Sequence, residues 1–487
     1  MAIAKLTTGI AGFDILTHGG IPEGRSTLVA GRSGTGKTVF ALQIAAHLAA
    51  QGVTPLIVGV EESADDLLVT GDGLGFDLST LRDEGKLHIA DLTRPMDGPT
   101  VISGEYDIYG LVHRLEAAVQ AHDVKLVVLD SATALFSPRP PQDQMRNHFF
   151  QLVHAIRRLE LTGIILAEAP SDYGQLTTLG VEDYVCDLVV ILRNTIDSDR
   201  RRRSIEVNKY RRSGHFKGEY PCTVTTRGLT IFPQNPKERP DLIPIERFSS
   251  GVAGLDEMTS GGWLRNSIII VRGPTGSGKT MLAGLYARAG AMRGERVIYY
   301  GFEEPRPILI RNFEVIGMPM TSLVNAGNLR IMCRYPESTS LEDLLVSLRL
   351  GIEEYGPSLI VMDSISSIEH ASSEKGFRQF IIGVAALLRE HGRSALITQT
   401  VTAGESATHT APYLSTVADA ILAMDYSPVG YELDRQMRVI KMRGSDHDTH
   451  PYRLIIAPGG LKVERLTATQ FASGKRAGAT KSAKALL

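Results

Sequence analysis

Residues 7–43 read TTGIAGFDILTHGGIPEGRSTLVAGRSGTGKTVFALQ and residues 249–285 read SSGVAGLDEMTSGGWLRNSIIIVRGPTGSGKTMLAGL; the two align without a gap. Further matched features keep this offset of 242 residues (Gly31 to Gly273) or change it by about ten. The repeat unit is therefore a whole domain, which excludes a solenoid of short repeats. A chain of 487 residues accommodates two such domains, each long enough to bury its own core.

In each copy an apolar run leads into a Gly-rich loop and then a helical pattern, SIIIVRG followed by TMLAGLYARAGAM in the second. Later runs, PLIVGV and LVVLD, then RVIYYGF and LIVMD, alternate with the amphipathic stretches QMRNHFFQLVHAIRRLE and LEDLLVSLRLGIEEY. Alternation of this kind predicts an α/β fold, a mostly parallel sheet flanked by helices in each domain. Prolines at 233, 236, 240 and 244 interrupt any regular element between the copies. The expected organisation is a first domain over 1–232, a linker over 233–247, a second domain over 248–466 and a flexible Ala/Lys/Ser/Gly tail over 467–487.

Composition narrows the class further. A formal net charge of −2 supplies no general field for nucleic acid, which is not the expected main partner. Cys186, Cys222 and Cys333 are widely separated and lack metal-ligand spacing, so they read as reduced core thiols. The start lacks a leader pattern and no run approaches the ~18 apolar residues of a membrane span. The expected address is the cytoplasm.

Both copies complete G-x-x-x-x-G-K-T, at Gly31, Gly34, Gly36, Lys37 and Thr38, and at Gly273, Gly276, Gly278, Lys279 and Thr280, with Ser33, Thr35, Thr275 and Ser277 filling the loops. Such a loop between strand and helix points backbone N–H groups at phosphates, adds a lysine for the β/γ-phosphate charge and offers a threonine hydroxyl to Mg²⁺. ATP with Mg²⁺ is thus the expected ligand of each domain. Asp130 and Asp363 end the runs LVVLD and LIVMD, where a carboxylate holds the metal. Thr38, Asp130, Thr280 and Asp363 form the expected metal set. Paired acids follow another strand in each copy, Glu61-Glu62 and Glu303-Glu304. One acid of each pair is the candidate base for water or a hydroxyl.

A third repeated feature is Lys209, Arg211 and His215, matched by Lys441, Arg443 and His447. Alternating cations on one strand face suit a role on a neighbouring subunit's nucleotide, as arginine fingers have. An exposed basic edge strand is the competing reading.

GRSGTGKT, GPTGSGKT, the two EE pairs, RRRSIEVNKYRRSGHFKGEYP, GFRQFIIGV and VIKMRGSDHD occur in the order found in KaiC proteins. From about Leu6 to Glu464 the chain resembles that family of tandem RecA-like ATPases and autokinases. The resemblance implies a two-tiered homohexamer with ATP at subunit interfaces, where Lys209, Arg211, Lys441 and Arg443 act on the neighbour's nucleotide. It also implies hydrolysis mainly in the first ring and, in the second, phosphoryl transfer to Ser415 and Thr416 of PYLSTVADA, with Glu303 as base. A KaiB-like protein or a signalling histidine kinase is an implied partner. KaiA is not expected, because the tail after Glu464 is shorter than the clock version and differs in sequence. Two positions depart from the clock pattern: Thr410 precedes Ala411 and Pro412 rather than an acid, and His370 stands where an arginine is usual.

On the residues alone two other readings stay open. One is a DNA-dependent ATPase of the RecA or helicase kind, which shares the core fold. The other is a nucleotide-dependent scaffold in which Ser415 and Thr416 are bystanders.

Overall fold

The computed structural model describes residues 3–91, 108–135, 142–178, 180, 185–197, 200–233, 245–401, 407–408, 410–429 and 432–465. Most of the expected linker, including three of its four prolines, and the tail from 467 lie outside them. The chain divides into two compact units, Met1–Pro233 and Gln234–Leu487.

Each unit contains one nine-stranded sheet with the same strand order. In the first unit six parallel strands run Leu188–Asp197, Ser26–Gly31, Thr162–Glu168, Leu126–Asp130, Pro55–Gly59 and His88–Asp91. Arg200–Tyr210, Glu219–Thr225 and Gly228–Ile231 extend it antiparallel beyond Leu188–Asp197. The second unit repeats this with Ala420–Val429, Ile268–Gly273, Ser394–Thr400, Leu359–Asp363, Val297–Gly301 and Leu329–Cys333, and with Glu432–Met442, Tyr452–Ala457 and Gly460–Arg465. The expected architecture, two tandem RecA-like α/β units with mostly parallel sheets, is the one observed.

The central strands are runs of Val, Ile and Leu because both their faces are covered, so they lack the alternation of a half-exposed strand. In the first unit Leu28, Val127, Leu129 and Ile165 pack on one face with Phe149, Leu152 and Ile156 of helix Gln142–Arg158. Val29, Val128 and Ile164 pack on the other with Phe40, Ile44 and Leu48 of helix Lys37–Ala50. Helix boundaries follow local chemistry. Ser340 accepts the Asp343 N–H at 3.0 Å to start Leu341–Tyr355, and Gly356 at φ +61° ends it.

The repeated segment before each phosphate loop has a structural explanation. Asp14 accepts the Thr8 N–H and hydroxyl, while Asp256 accepts the Ser250 N–H at 2.8 Å. Thr17 and Thr259 donate back to Phe13 and Leu255 carbonyls. These bonds fold Lys5–Leu6 onto Ile21–Pro22 and Arg247–Phe248 onto Trp263–Leu264 as two-stranded ribbons.

Helix Lys279–Met292 is buried on nearly every side, and Tyr286 within it is 1% exposed. Its hydroxyl has no hydrogen-bond partner among the described residues, and burial pushes its pKa far above the usual phenol range. Removing that oxygen relieves a desolvation cost that no bond offsets. Tyr286→Phe is expected to stabilise the second unit by about 1 kcal/mol, read as a rise in its thermal unfolding midpoint.

Candidate functional site

In the first unit strand Ser26–Gly31 delivers the chain to the loop, and helix Lys37–Ala50 begins at Gly36, whose φ of +100° suits glycine alone. Gly31 is required for another reason. A Cβ there would stand 2.5 Å from the Leu192 carbonyl oxygen of the neighbouring strand, so its absence permits sheet packing rather than phosphate approach.

The Lys37 ammonium donates to the Gly31 and Arg32 carbonyls at 2.9 and 3.1 Å, and Lys279 donates to Gly273 and Pro274 at 2.8 Å each. Burial lowers the pKa of both. For Lys37 the opposing charges belong to Glu168, Asp130 and Glu61, and for Lys279 to Asp363 and Glu303. Ser33 and Thr275 are exposed, as Gly34 and Gly276 are. Thr35 and Ser277 are buried inside their loops, and Thr35 donates to the Arg32 carbonyl at 2.8 Å. Thr35 thus braces its loop, whereas the Ser277 hydroxyl has no hydrogen-bond partner among the described residues; in both loops the backbone N–H groups are left as phosphate-facing donors.

Thr38 donates to Asp130 Oδ2 at 2.7 Å, joining the expected metal pair. Burial pushes Asp130 up to about 6 against the Thr38 hydrogen bond, and Glu62 and Glu61 push it further in the same direction. Asp363 is also raised, by burial first, and the hydroxyls of Thr398, Tyr299 and Thr280 oppose the shift.

The acid pairs split in the same way in both units. Glu61 accepts from the Ser131 hydroxyl at 2.6 Å, and Glu303 from the Ser364 hydroxyl at 2.8 Å; each serine directly follows the strand-tip Asp. The second acids are held by other contacts. Glu62 is raised by burial and then by Asp66 and Glu61, and Glu304 accepts from Asn312 at 3.0 Å. Thr280, Lys279, Glu303, Glu304, Asp363 and His370 share one cleft of about 490 Å³.

Lys441, Arg443 and His447 do not line that cleft. Lys441 donates to the Ser415 carbonyl and, at 2.8 Å, to Ala418, and Arg443 donates to Thr416 at 3.1 Å. These cations thus close the carboxyl end of helix Pro412–Val417, which carries Ser415 and Thr416. Strands Arg200–Tyr210 and Glu432–Met442 end just before Arg211 and Arg443, whose backbone N–H groups donate to the Asp187 and Asp419 carbonyls. Lys209 pairs in register with Val189, and burial lowers the pKa of His215.

Sequence reasoning missed Glu168, Ser131, Ser364, Tyr299 and Thr398. The serines carried a signal, since each follows the Asp in a repeated DS.

The family model described as "ATPase: KaiC" matches residues 6–236 and again 248–468. The chain belongs to the KaiC family. It is 39% identical to the circadian clock oscillator protein KaiC of Picosynechococcus sp. over 464 residues, covering 95% of this chain and 90% of that one. It is 38% identical to the protein of the same name in Synechococcus elongatus over 465 residues, covering 95% and 89%. Membership in this KaiC ATPase family carries ATPase activity and, with it, nucleotide binding.

Asp130 sets a pH dependence in the metal-free, nucleotide-free protein. Its folded pKa of about 6 lies above the ordinary carboxyl value of 3.8, so the folded state holds the proton longer. The stability linked to that proton is complete below about 3.8 and is lost as pH rises through about 6. Asp130→Asn still accepts from Thr38 and carries no charge. It is expected to stabilise the first unit at pH 7.5 by on the order of 3 kcal/mol. The gain should vanish toward pH 4, as measured by denaturant unfolding across that range.

Proposed function

We propose that this protein is an ATP-hydrolysing homohexamer whose second domain is a serine/threonine autokinase, transferring the γ-phosphoryl group to Ser415 and Thr416 of a neighbouring subunit. The observation that carries this reading is the duplicated constellation of a loop lysine, a strand-tip aspartate and a glutamate held by the adjacent serine. The relatives' shared name, circadian clock oscillator protein, supports extending it to a timing or regulatory role.

The loop glycines and backbone N–H groups cradle the phosphates, and Lys37 and Lys279 neutralise them. Thr38 with Asp130, and Thr280 with Asp363, supply the hydroxyl and carboxylate oxygens that a hard cation prefers, so these residues fit Mg²⁺. Bound there, Mg²⁺ neutralises charge building on the β- and γ-phosphates. Glu61 and Glu303 are the bases of choice over Glu62 and Glu304, because a serine fixes each beside the strand-tip aspartate.

In the first domain Glu61 takes a proton from water, which attacks the γ-phosphorus and releases ADP. In the second, Glu303 takes the proton of the neighbour's Ser415 or Thr416 hydroxyl. The O–P bond to the protein forms as the bond to the ADP oxygen breaks. Lys209, Arg211 and His215, with Lys441, Arg443 and His447, serve the nucleotide of the adjacent subunit.

The domains span 1–232 and 248–466, a division supported by the two compact units and the two family-model matches. Partners of the assembled ring are a KaiB-like protein or a signalling histidine kinase. Three widely separated cysteines suit a reducing cytoplasm.

Incubation of the purified chain with Mg-ATP, followed by phosphosite mapping and intact-assembly mass, tests the whole reading. Glu303→Gln is expected to retain ATP and lose labelling of Ser415 and Thr416, and persistent labelling removes Glu303 as base. Lys37→Ala should lower ATP uptake by the first domain and shrink the ATP-dependent assembly; an unchanged assembly mass counts against that role.

A further inference from the structure

The two units differ at the carboxylate where their backbones agree. The Asp130 carbonyl accepts the Val60 N–H at 2.7 Å, and the Asp363 carbonyl accepts the Phe302 N–H at 2.8 Å. Each aspartate therefore leaves its strand tip along the same path. Around the side chains the match stops at Thr38 and Thr280, each of which bonds its aspartate.

Asp363 is held at both oxygens. Tyr299 donates to Oδ2 at 2.7 Å and Thr398 donates to Oδ1. Strand register shows that neither hydroxyl has a counterpart in the first unit. Tyr299 pairs with Val361 as Ile57 pairs with Val128, each two residues before the aspartate. Thr398 follows Ile397, the partner of Met362, as Leu166 follows Ile165, the partner of Leu129. Two apolar side chains thus stand where the second unit has hydroxyls. The Tyr299 ring is 1% exposed and packs edge-on to Phe313 at 6.0 Å between centroids, so its hydroxyl has a fixed aim. A phenol buried that deeply is the size of a core residue and needs a partner for its O–H; the carboxylate is that partner.

We propose that Tyr299, together with Thr398, is a positioning residue that fixes the Asp363 carboxylate toward its divalent cation, so that the two domains of one chain bind the cation unequally. This rests on the reading of Asp130 and Asp363 as the cation-holding carboxylates. Groups that orient a metal-holding carboxylate typically change metal affinity by about 10- to 100-fold when removed. Asp363 has two such donors from the sheet, and Asp130 has none at those two positions.

The test is Mn²⁺ binding to the full-length chain with saturating ADP, followed by the electron paramagnetic resonance signal of free Mn²⁺. The unaltered protein should show two affinity classes, and Asp130→Asn and Asp363→Asn should each abolish a different one. Tyr299→Phe removes a single oxygen from a buried ring and is expected to weaken the Asp363 class about tenfold or more, leaving the Asp130 class within about twofold. Thr398→Val should act on the same class, which keeps the test decisive should Tyr299→Phe fold poorly. ADP affinity in EDTA should not move in either variant. If Asp363→Asn leaves both classes intact, the carboxylate reading itself fails and the inference with it. If Asp363→Asn abolishes a class that Tyr299→Phe and Thr398→Val leave unchanged, the inference alone is overturned. Equal loss of ADP affinity in EDTA also overturns it, because the two residues then serve packing rather than the cation. A single class in the unaltered protein overturns the claim of inequality.

Discussion

A carboxylate buried at the tip of a central parallel strand is the charge around which each unit is arranged. Strands covered on both faces exclude water along their length, so a charge at the tip loses hydration and must recover it from protein groups. Thr38 answers Asp130, while Tyr299, Thr398 and Thr280 answer Asp363. The loop lysines stand opposite these acids, and the adjacent serines reach across to Glu61 and Glu303. A lysine, an aspartate and a glutamate from three different strand ends converge because parallel strands all terminate at the same edge of the sheet.

Much of this was legible in the amino-acid sequence, since it depends on order and spacing. GRSGTGKT and GPTGSGKT announce a strand, a turn and a helix start, and LVVLD and LIVMD announce buried strands with an acid at the end. Side-chain direction was less legible. VIYYG is apolar or aromatic throughout, so no alternation tells which tyrosine reaches Asp363 and which donates to the Ser347 carbonyl, as Tyr300 does. Gly31 looked like part of a phosphate cradle, and its contact with Leu192 depends on a strand far along the chain. The closure of helix Pro412–Val417 by Lys441 and Arg443 was hidden for the same reason. Strand pairing brings those residues together, and no local pattern encodes it.

Duplication gives the molecule its own internal reference. Where both units share an arrangement, as with the serine beside each first glutamate, common backbone geometry suffices to explain it. Where they differ, as at Ile57 against Tyr299, the side chains alone are responsible. Asp14 and Asp256 show the other outcome of duplication, equivalent acids retained as turn scaffolding.

Helix Pro412–Val417 has only six residues, and the Thr416 hydroxyl donates back to the Pro412 carbonyl at 2.8 Å. Back-bonding of this kind fastens a side chain to the turn beneath it. An oxygen that becomes an ester has no hydrogen left to give, so attaching any acyl or phosphoryl group at Thr416 removes that side-chain bond and leaves the Pro412 carbonyl with its helical backbone partner alone. Modifying that oxygen therefore costs this short helix one of its anchors at the first turn.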